Sequence, residues 1–388
     1  MGQPRLVAKY CLLLKTLPQG QGQRVISKNY EQLESYILSI DASRYASERN
    51  FLGGSTQLSE YITRGVISLP RVRELLLERN KPYDCAKLIQ ELAWREYWQR
   101  VWYDKGSAIF DYIRPQAEPR RSGLPAAILS AETGIRALDD GLRQLYETGY
   151  IHNHLRMWLA GLICNVARCD WRIGADWMIS HLIDGDYASN HLSWQWVAGS
   201  YTGKQYLPQQ DNINTFTRSL QRNTYLDTDY ETIASMPVPQ ALQALVQPAD
   251  VPKPVPFLPT NLVSISDIDW SAEVLLYSPW TLDPNWRRDS AGPRLLVLST
   301  EQFTTGVFGQ HVVDSIMSVA ALIPDLKVAV LNKVAVQSLH GTMIRKAYPG
   351  IIEWPGQVDG PELLYPDVPE KPYNSFMSYW KQAEKSAR

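Results

Sequence analysis

The chain of 388 residues is poor in cysteine, with four, and has only six histidines and seven phenylalanines. Cys11, Cys85, Cys164 and Cys169 form no CxxC pair, so scattered reduced thiols are expected rather than a zinc or iron–sulfur site. No run of about 18 apolar residues occurs, so no membrane span is expected. The N-terminal LVAKYCLLLKTL is too short and interrupted for a secretory signal, and a cytoplasmic protein is expected. There is no GxGxxG, no GxxxxGK[ST] and no internal repeat. Charge of one sign is also lacking. The formal net charge of −1 gives no global field for nucleic acid, so any such contact must be a local patch.

Tryptophan, in contrast, is abundant, with thirteen residues. Five of them, and four of the histidines, fall in GYIHNHLRMWLAGLICNVARCDWRIGADWMISHLIDGDYASNHLSWQW, residues 149–196. Polar groups and indoles alternate there at helical spacing. Asn153, Arg156 and Met157 lie within about a third of a turn of one another on a helix. Asp186, Asn190 and Trp194 repeat at i, i+4, i+8, again on one face. Asp170-Trp171-Arg172 makes a polar corner between the two helices.

Helix is predicted over residues 1–40 and 66–105. Glu91, Trp94, Arg95 and Trp98 then share one face, a mixture of carboxylate, guanidinium and indoles. An amphipathic face with an ion pair and a snorkelling arginine accounts for that mixture equally well. Between these helices, Gly53-Gly54 break the pattern. Ser55, Thr56 and Ser59 offer hydroxyls that suit either a phosphate or an ordinary helix cap. Residues 106–141 read as loop-rich. Residues 236–259 hold seven prolines and read as an extended linker. Beyond it, 294–299 and 326–331 look like buried strands, with helical patterns near 307–322 and 334–347 and an amphipathic segment from about Tyr373.

Three blocks in order, YASERNF…STQLS, ELAWREYW and the long 149–196 stretch, resemble the FAD-binding domain of the photolyase/cryptochrome family, over about residues 30–215. The similarity is greatest to cyclobutane pyrimidine dimer photolyases. The resemblance implies a mainly α chain. An all-helical FAD-binding domain (1–235) would be followed by a Pro-rich linker (236–265) and a small C-terminal α/β domain (266–388). It implies FAD as cofactor and DNA carrying pyrimidine dimers as partner, with no membrane and a monomeric protein.

By the resemblance, Tyr45, Ser55, Thr56, Gln57, Leu58 and Ser59 hold the FAD phosphates and ribityl chain. Arg95 lies on the FAD side. Arg156 and Asp184 pair beside the isoalloxazine, Gly185 and Asp186 contact it, and Asn190 sits near N5. Glu91, Trp94, Asn153, Met157 and Trp196 line the dimer pocket, with Glu91 hydrogen-bonding the bases and the tryptophans stacking on them. Trp171 and Trp194 are the inner two members of an electron-transfer chain.

The chain departs from the family in several places. Gln57 replaces an arginine, and Glu60 follows where proline or alanine is commoner. His154 replaces an arginine that contacts DNA. His191 and Leu192-Ser193 replace Asn-Gly-Gly. No tryptophan near Phe110-Asp111-Tyr112 ends the electron chain, leaving Tyr112 or another aromatic for that place. By the resemblance the flavin domain is expected to start almost at residue 1, without the antenna domain that usually precedes it. Arg120, Arg121, Arg218 and Arg222 are candidates to hold the DNA strand. The implied function is light-driven dimer repair. A photoreceptor that keeps FAD but not repair is the alternative, and a flavin-binding scaffold without a light role is a third reading.

Overall fold

The computed structural model describes residues 29–115, 120–252, 256–304 and 308–386. Most of the N-terminal helix expected over 1–40, and Cys11, lie outside these residues. The helices, in order, are α1 (Tyr30–Leu38), α2 (Ala42–Glu48), α3 (Ser59–Thr63), α4 (Leu69–Arg79), α5 (Pro82–Lys105) and α6 (Ala126–Leu129). They continue as α7 (Arg136–Thr148), α8 (Asn153–Gly161), α9 (Trp171–His181), α10 (Tyr187–Ala198), α11 (Gln210–Thr217) and α12 (Tyr230–Ser235). The C-terminal part has α13 (Thr300–Thr304), α14 (Gln310–Ala320), α15 (Lys333–Gln337) and α16 (Phe376–Ser386). None of the described helices is long and apolar enough to cross a membrane.

The chain folds as two compact units. One contains Glu48–Ser55 and Ser107–Pro254, and the other the described parts of Val25–Ser47, Thr56–Gly106 and Val255–Arg388.

The first unit is helical around one apolar core, in which Trp158 and Trp171 are fully buried. Its helix ends are written in the sequence. Asp170 caps α9 by accepting from the Arg172 N–H, and Asp186 caps α10 by accepting from the Ser189 N–H. Gly149 (φ 72°) and Gly199 (φ 83°) stop α7 and α10 in the left-handed conformation that only glycine adopts without strain. The stretch read as loop-rich to residue 141 turns helical earlier, at Arg136. Within the proline-rich stretch, strand β2 (Leu245–Val246) pairs antiparallel with β1 (Leu124–Pro125).

The second unit combines helices with a five-stranded parallel sheet. Its strands are β3 (Val274–Tyr277), β4 (Arg294–Ser299), β5 (Leu326–Leu331), β6 (Met343–Lys346) and β7 (Gln357–Asp359), in the order β5-β4-β3-β6-β7. The strands expected at 294–299 and 326–331 are β4 and β5. The helix expected over 334–347 is a correction. The helix ends at Gln337 with Ser338 as its C-cap, Gly341 follows at φ 116°, and Met343–Lys346 becomes β6, buried between β3 and β7. The helix expected across 66–105 is also two, since Asn80 leaves the helical conformation and its side chain bonds Ala42 N and Ile40 O.

An order of this kind reverses direction beside the first strand, where doubly wound sheets open a ligand crevice at the carboxyl ends. Here that place is filled. Trp280, just after β3, stacks on Tyr348, just after β6 (5.2 Å, 7°), and the fully buried Arg64 donates to Pro279 O (3.4 Å).

Candidate functional site

The site residues divide between the two units. In the first, α8 begins at Asn153 behind a His152 cap. Asn153 is exposed, and its Nδ2 lies 3.7 Å from the Met157 sulfur one turn on. Arg156 donates Nε to Ile151 O (3.0 Å) and Nη2 to both oxygens of Asp184 (3.0 and 2.9 Å). The Asp184 side chain is 3% exposed, so this is a charge pair largely out of water, and losing either partner would strand the other. The Arg156 guanidinium also lies over the Tyr150 ring, whose hydroxyl donates to Ser55 Oγ (3.0 Å). A side chain at Gly185 would meet Leu182 O at 2.9 Å, so the turn carrying Asp184 and Asp186 needs glycine there. Asn190 donates Nδ2 to Ala175 O (3.0 Å), and its carbonyl oxygen has no partner among the described residues.

Trp171 and Trp194 are both buried. The Trp194 ring packs where a Cβ on Gly174, one turn beyond Trp171, would stand. Trp171 meets Tyr112 edge-on (5.9 Å, 77°) and His191 likewise (6.1 Å, 85°). Gln195, fully buried, fixes the segment carrying Tyr112. It accepts from Ile113 N (3.1 Å) and donates to Ile109 O (2.8 Å). Arg172 lies over the Tyr112 ring (4.8 Å) and grips Asp170 through Nε and Nη2. Burial, and next the Asp170 carboxylate, push the Tyr112 phenol well above its ordinary value. Burial raises the Asp170 carboxyl, but the bonds from Arg172 outweigh it and hold the group below the usual carboxylate range. Trp196 is half-buried and tilted against Tyr206 (6.2 Å).

His154 is turned inward. It bonds Asn50 O (2.7 Å) and stacks on Trp158 (14°) and Phe216 (16°). Burial lowers its pKa, so it is largely uncharged at neutral pH. His152 bonds Arg49 O (3.0 Å), and burial takes it down to about 4. Of the four arginines expected to hold a strand, Arg121 is committed to the carbonyls of Ala167, Leu242 and Gln243, and Arg120 to Cys164 O. Arg218 lies over Phe51, and Arg222 is bridged to Asp211 and Asp227. Cys85, Cys164 and Cys169 are buried free thiols.

In the second unit, Glu91 on α5 is exposed and Trp94 half-buried, while Trp98 (6% exposed) belongs to the core. Arg95 donates Nη1 to Thr63 Oγ1 (3.2 Å). The Thr56 carbonyl accepts from Tyr36 (3.0 Å), Gln57 has φ 53°, and Leu58 is buried. Ser59 begins α3 and Tyr45 lies in α2, both half-buried. Glu60, singled out as a departure, accepts from Ser315 on α14.

Phe376 of α16 lies flat on Trp94 at 3.8 Å and 10°. The sequence reading missed it, although Phe376, Tyr379 and Trp380 crowd three aromatics onto one helix.

Three successive helices, α8, α9 and α10, with the turn between the last two, thus bring together a largely buried ion pair, an amide and two buried indoles. Residues 88–233 match the family described as the FAD binding domain of DNA photolyase, and this segment belongs to that family. Its cofactor is FAD. The residues fit the group. A flavin ring edge alternates N–H and C=O, and Asn190 offers an unpartnered carbonyl oxygen beside the Arg156–Asp184 pair's helix.

The chain is 28% identical over 222 residues to a deoxyribodipyrimidine photo-lyase of Buchnera aphidicola subsp. Baizongia pistaciae, covering 48% of this chain and 46% of that protein. It is 34% identical over 173 residues to the deoxyribodipyrimidine photo-lyase of Salmonella typhimurium, covering 42% and 36%. The chain therefore spans less than half the length of these relatives. Among solved structures it is similar to a cryptochrome of Synechocystis sp. PCC6803, with TM-score 0.44 and 25% identity over 48% of this chain and 43% of that one.

Proposed function

We propose that this protein splits cyclobutane pyrimidine dimers in DNA by light-driven, FAD-mediated electron transfer. FAD supplies the photoexcited electron donor and takes the electron back. The chain's residues bind, orient and exclude water. Arg156 and Asp184 fix the turn beside the flavin, with Gly185 and Asp186, and Asn190 offers its carbonyl to a ring N–H. Tyr45, Ser55, Thr56, Gln57, Leu58, Ser59 and Arg95 hold the rest of the cofactor. Glu91 hydrogen-bonds the flipped dimer, Asn153 and Met157 line its pocket, and Trp94 and Trp196 stack on it. Trp194 and Trp171 carry electrons inward, with Tyr112 the next ring outward.

The observation that carries this reading is the matched flavin-binding segment together with the exposed Asn153 and its half-buried neighbour Met157, within one turn of the Arg156–Asp184 bridge. It is supported by relatives named as deoxyribodipyrimidine photo-lyases. The test is Glu91→Ala. Repair of a dimer-containing oligonucleotide should fall by roughly a hundredfold, within the range that a lost positioned proton donor costs, while bound flavin stays constant. Loss of the flavin instead would contradict the role given to Glu91.

A second reading, a blue-light photoreceptor that keeps electron transfer without repair, is favoured by His154. That ring is spent on a stack and Asn50 O, and offers no charge to a phosphate.

A further inference from the structure

The segment matched to the flavin-binding family ends at residue 233, yet the aromatic lying on Trp94 comes from residue 376. The contact is close and flat, with centroids 3.8 Å apart and planes 10° apart. Trp380, one turn along α16, is also near-parallel to Phe376 (5.9 Å, 16°). Phe376 is 4% exposed, so it is a seated part of this unit's interior. Its seat is polar as well as apolar. Tyr379, fully buried, donates its hydroxyl to Glu96 (2.7 Å), two residues beyond Trp94. Glu96 also accepts from Leu364 N and from Arg100 Nε (3.2 Å). Tyr97 donates its hydroxyl to Tyr373 O (3.2 Å). A buried carboxylate with three donors sets the C-terminal helix in register on α5, because sliding the helix would leave that charge short of a donor.

Two further rings touch Trp94, neither of them parallel to it. Tyr97 meets it edge-on (78°) and Trp98 at 41°, and no second ring lies parallel to it among the described residues. The indole is half-buried, so part of it reaches solvent.

We propose that Phe376 is a positioning residue for substrate stacking: it covers one face of Trp94, fixes the plane of the indole, and leaves the other face to a nucleobase of the damaged pair. The inference rests on the repair reading and extends it. It gives the C-terminal part of the chain a task in lesion recognition, outside the matched segment. An indole already held in plane loses little freedom when a base stacks on it, which favours binding without adding a contact.

The test is binding in the dark, with the full flavin-loaded chain, to an oligonucleotide carrying one thymine dimer and to its undamaged twin. Phe376→Ala and Phe376→Leu should each weaken dimer binding by roughly five- to tenfold, the scale of a lost aromatic stack. Binding to the undamaged strand should not change. Phe376→Tyr should stay within about twofold of the wild type, since the flat ring is kept. Leucine holds most of the volume, so a merely structural role predicts that Phe376→Leu behaves as wild type. That result would overturn the proposal. Tighter dimer binding by Phe376→Ala would overturn it too, and would make Phe376 a plug in the base's place. A wild-type chain that binds flavin but shows no preference for the dimer would remove the repair reading, and this inference with it.

Discussion

At the scale of single residues, the two histidines at the start of α8 have the sharpest physical consequence. Both rings bond backbone carbonyls of Arg49 and Asn50 and are held neutral by burial. For His152 the folded-state value is about 4, against 6.5 for the free side chain. The unfolded chain therefore takes up the proton first. Stability from this group is fully present above about pH 6.5 and is lost as pH falls towards about 4, by about 1.4 kcal/mol per pH unit. Chemical denaturation across that window should show this slope, and His152→Gln should flatten it. A variant with an unchanged profile would mean that the ring is not held neutral. Neither ring's fate was legible in the sequence. His154 reads there as an altered DNA contact, and only the fold shows that Phe216 and Trp158 enclose it. Arg121 is similar. A basic pair looks like a phosphate clamp until three carbonyls from two separate stretches are found around Arg121.

At the scale of elements, α9 and α10 carry the two buried indoles of the proposed electron path. Their ends were legible, because Asp170 and Asp186 are strong N-caps and Gly199 a strong stop. The place of Tyr112 was only half legible. The sequence offers it as an aromatic near the gap in the chain of indoles, and the fold sets it edge-on to Trp171, held by Gln195 and covered by Arg172. On the proposed path Asp170, held below the usual carboxylate range by Arg172, would take the phenol proton when the ring is oxidised. Tyr112→Phe keeps the ring and removes the proton. Photoreduction of the flavin by an external reductant should slow by roughly tenfold, as expected if a barrier of about 1.4 kcal/mol is added. The transient radical should be of tryptophan type, read by time-resolved absorption and electron paramagnetic resonance. An unchanged rate would take Tyr112 off the path. In the C-terminal part, β4 and β5 were legible because strands of a parallel sheet are mostly apolar runs. Strand β6 was not. Its four residues follow a helical pattern that breaks at Ser338, and no periodicity marks where that helix stops.

At the scale of the whole molecule, the chain joins a segment of the photolyase FAD-binding family to a parallel sheet that follows it in sequence. The order of blocks made the family legible, since three motifs at large separation must recur together to bind one cofactor. The role of the rest was not legible. Nothing in the composition of α16 says that Phe376 meets Trp94, because that contact spans 282 residues of chain and lies beside an equally distant bond from Tyr379 to Glu96. The central claim is that the flavin in this chain repairs DNA. Its most direct measurement follows the loss of cyclobutane dimers in a defined oligonucleotide, using the purified chain with its flavin fully reduced, under blue light and in the dark. The account predicts light-dependent restoration of the intact pyrimidines with turnover. A chain that carries fully reduced flavin and leaves the dimers untouched under light would contradict it.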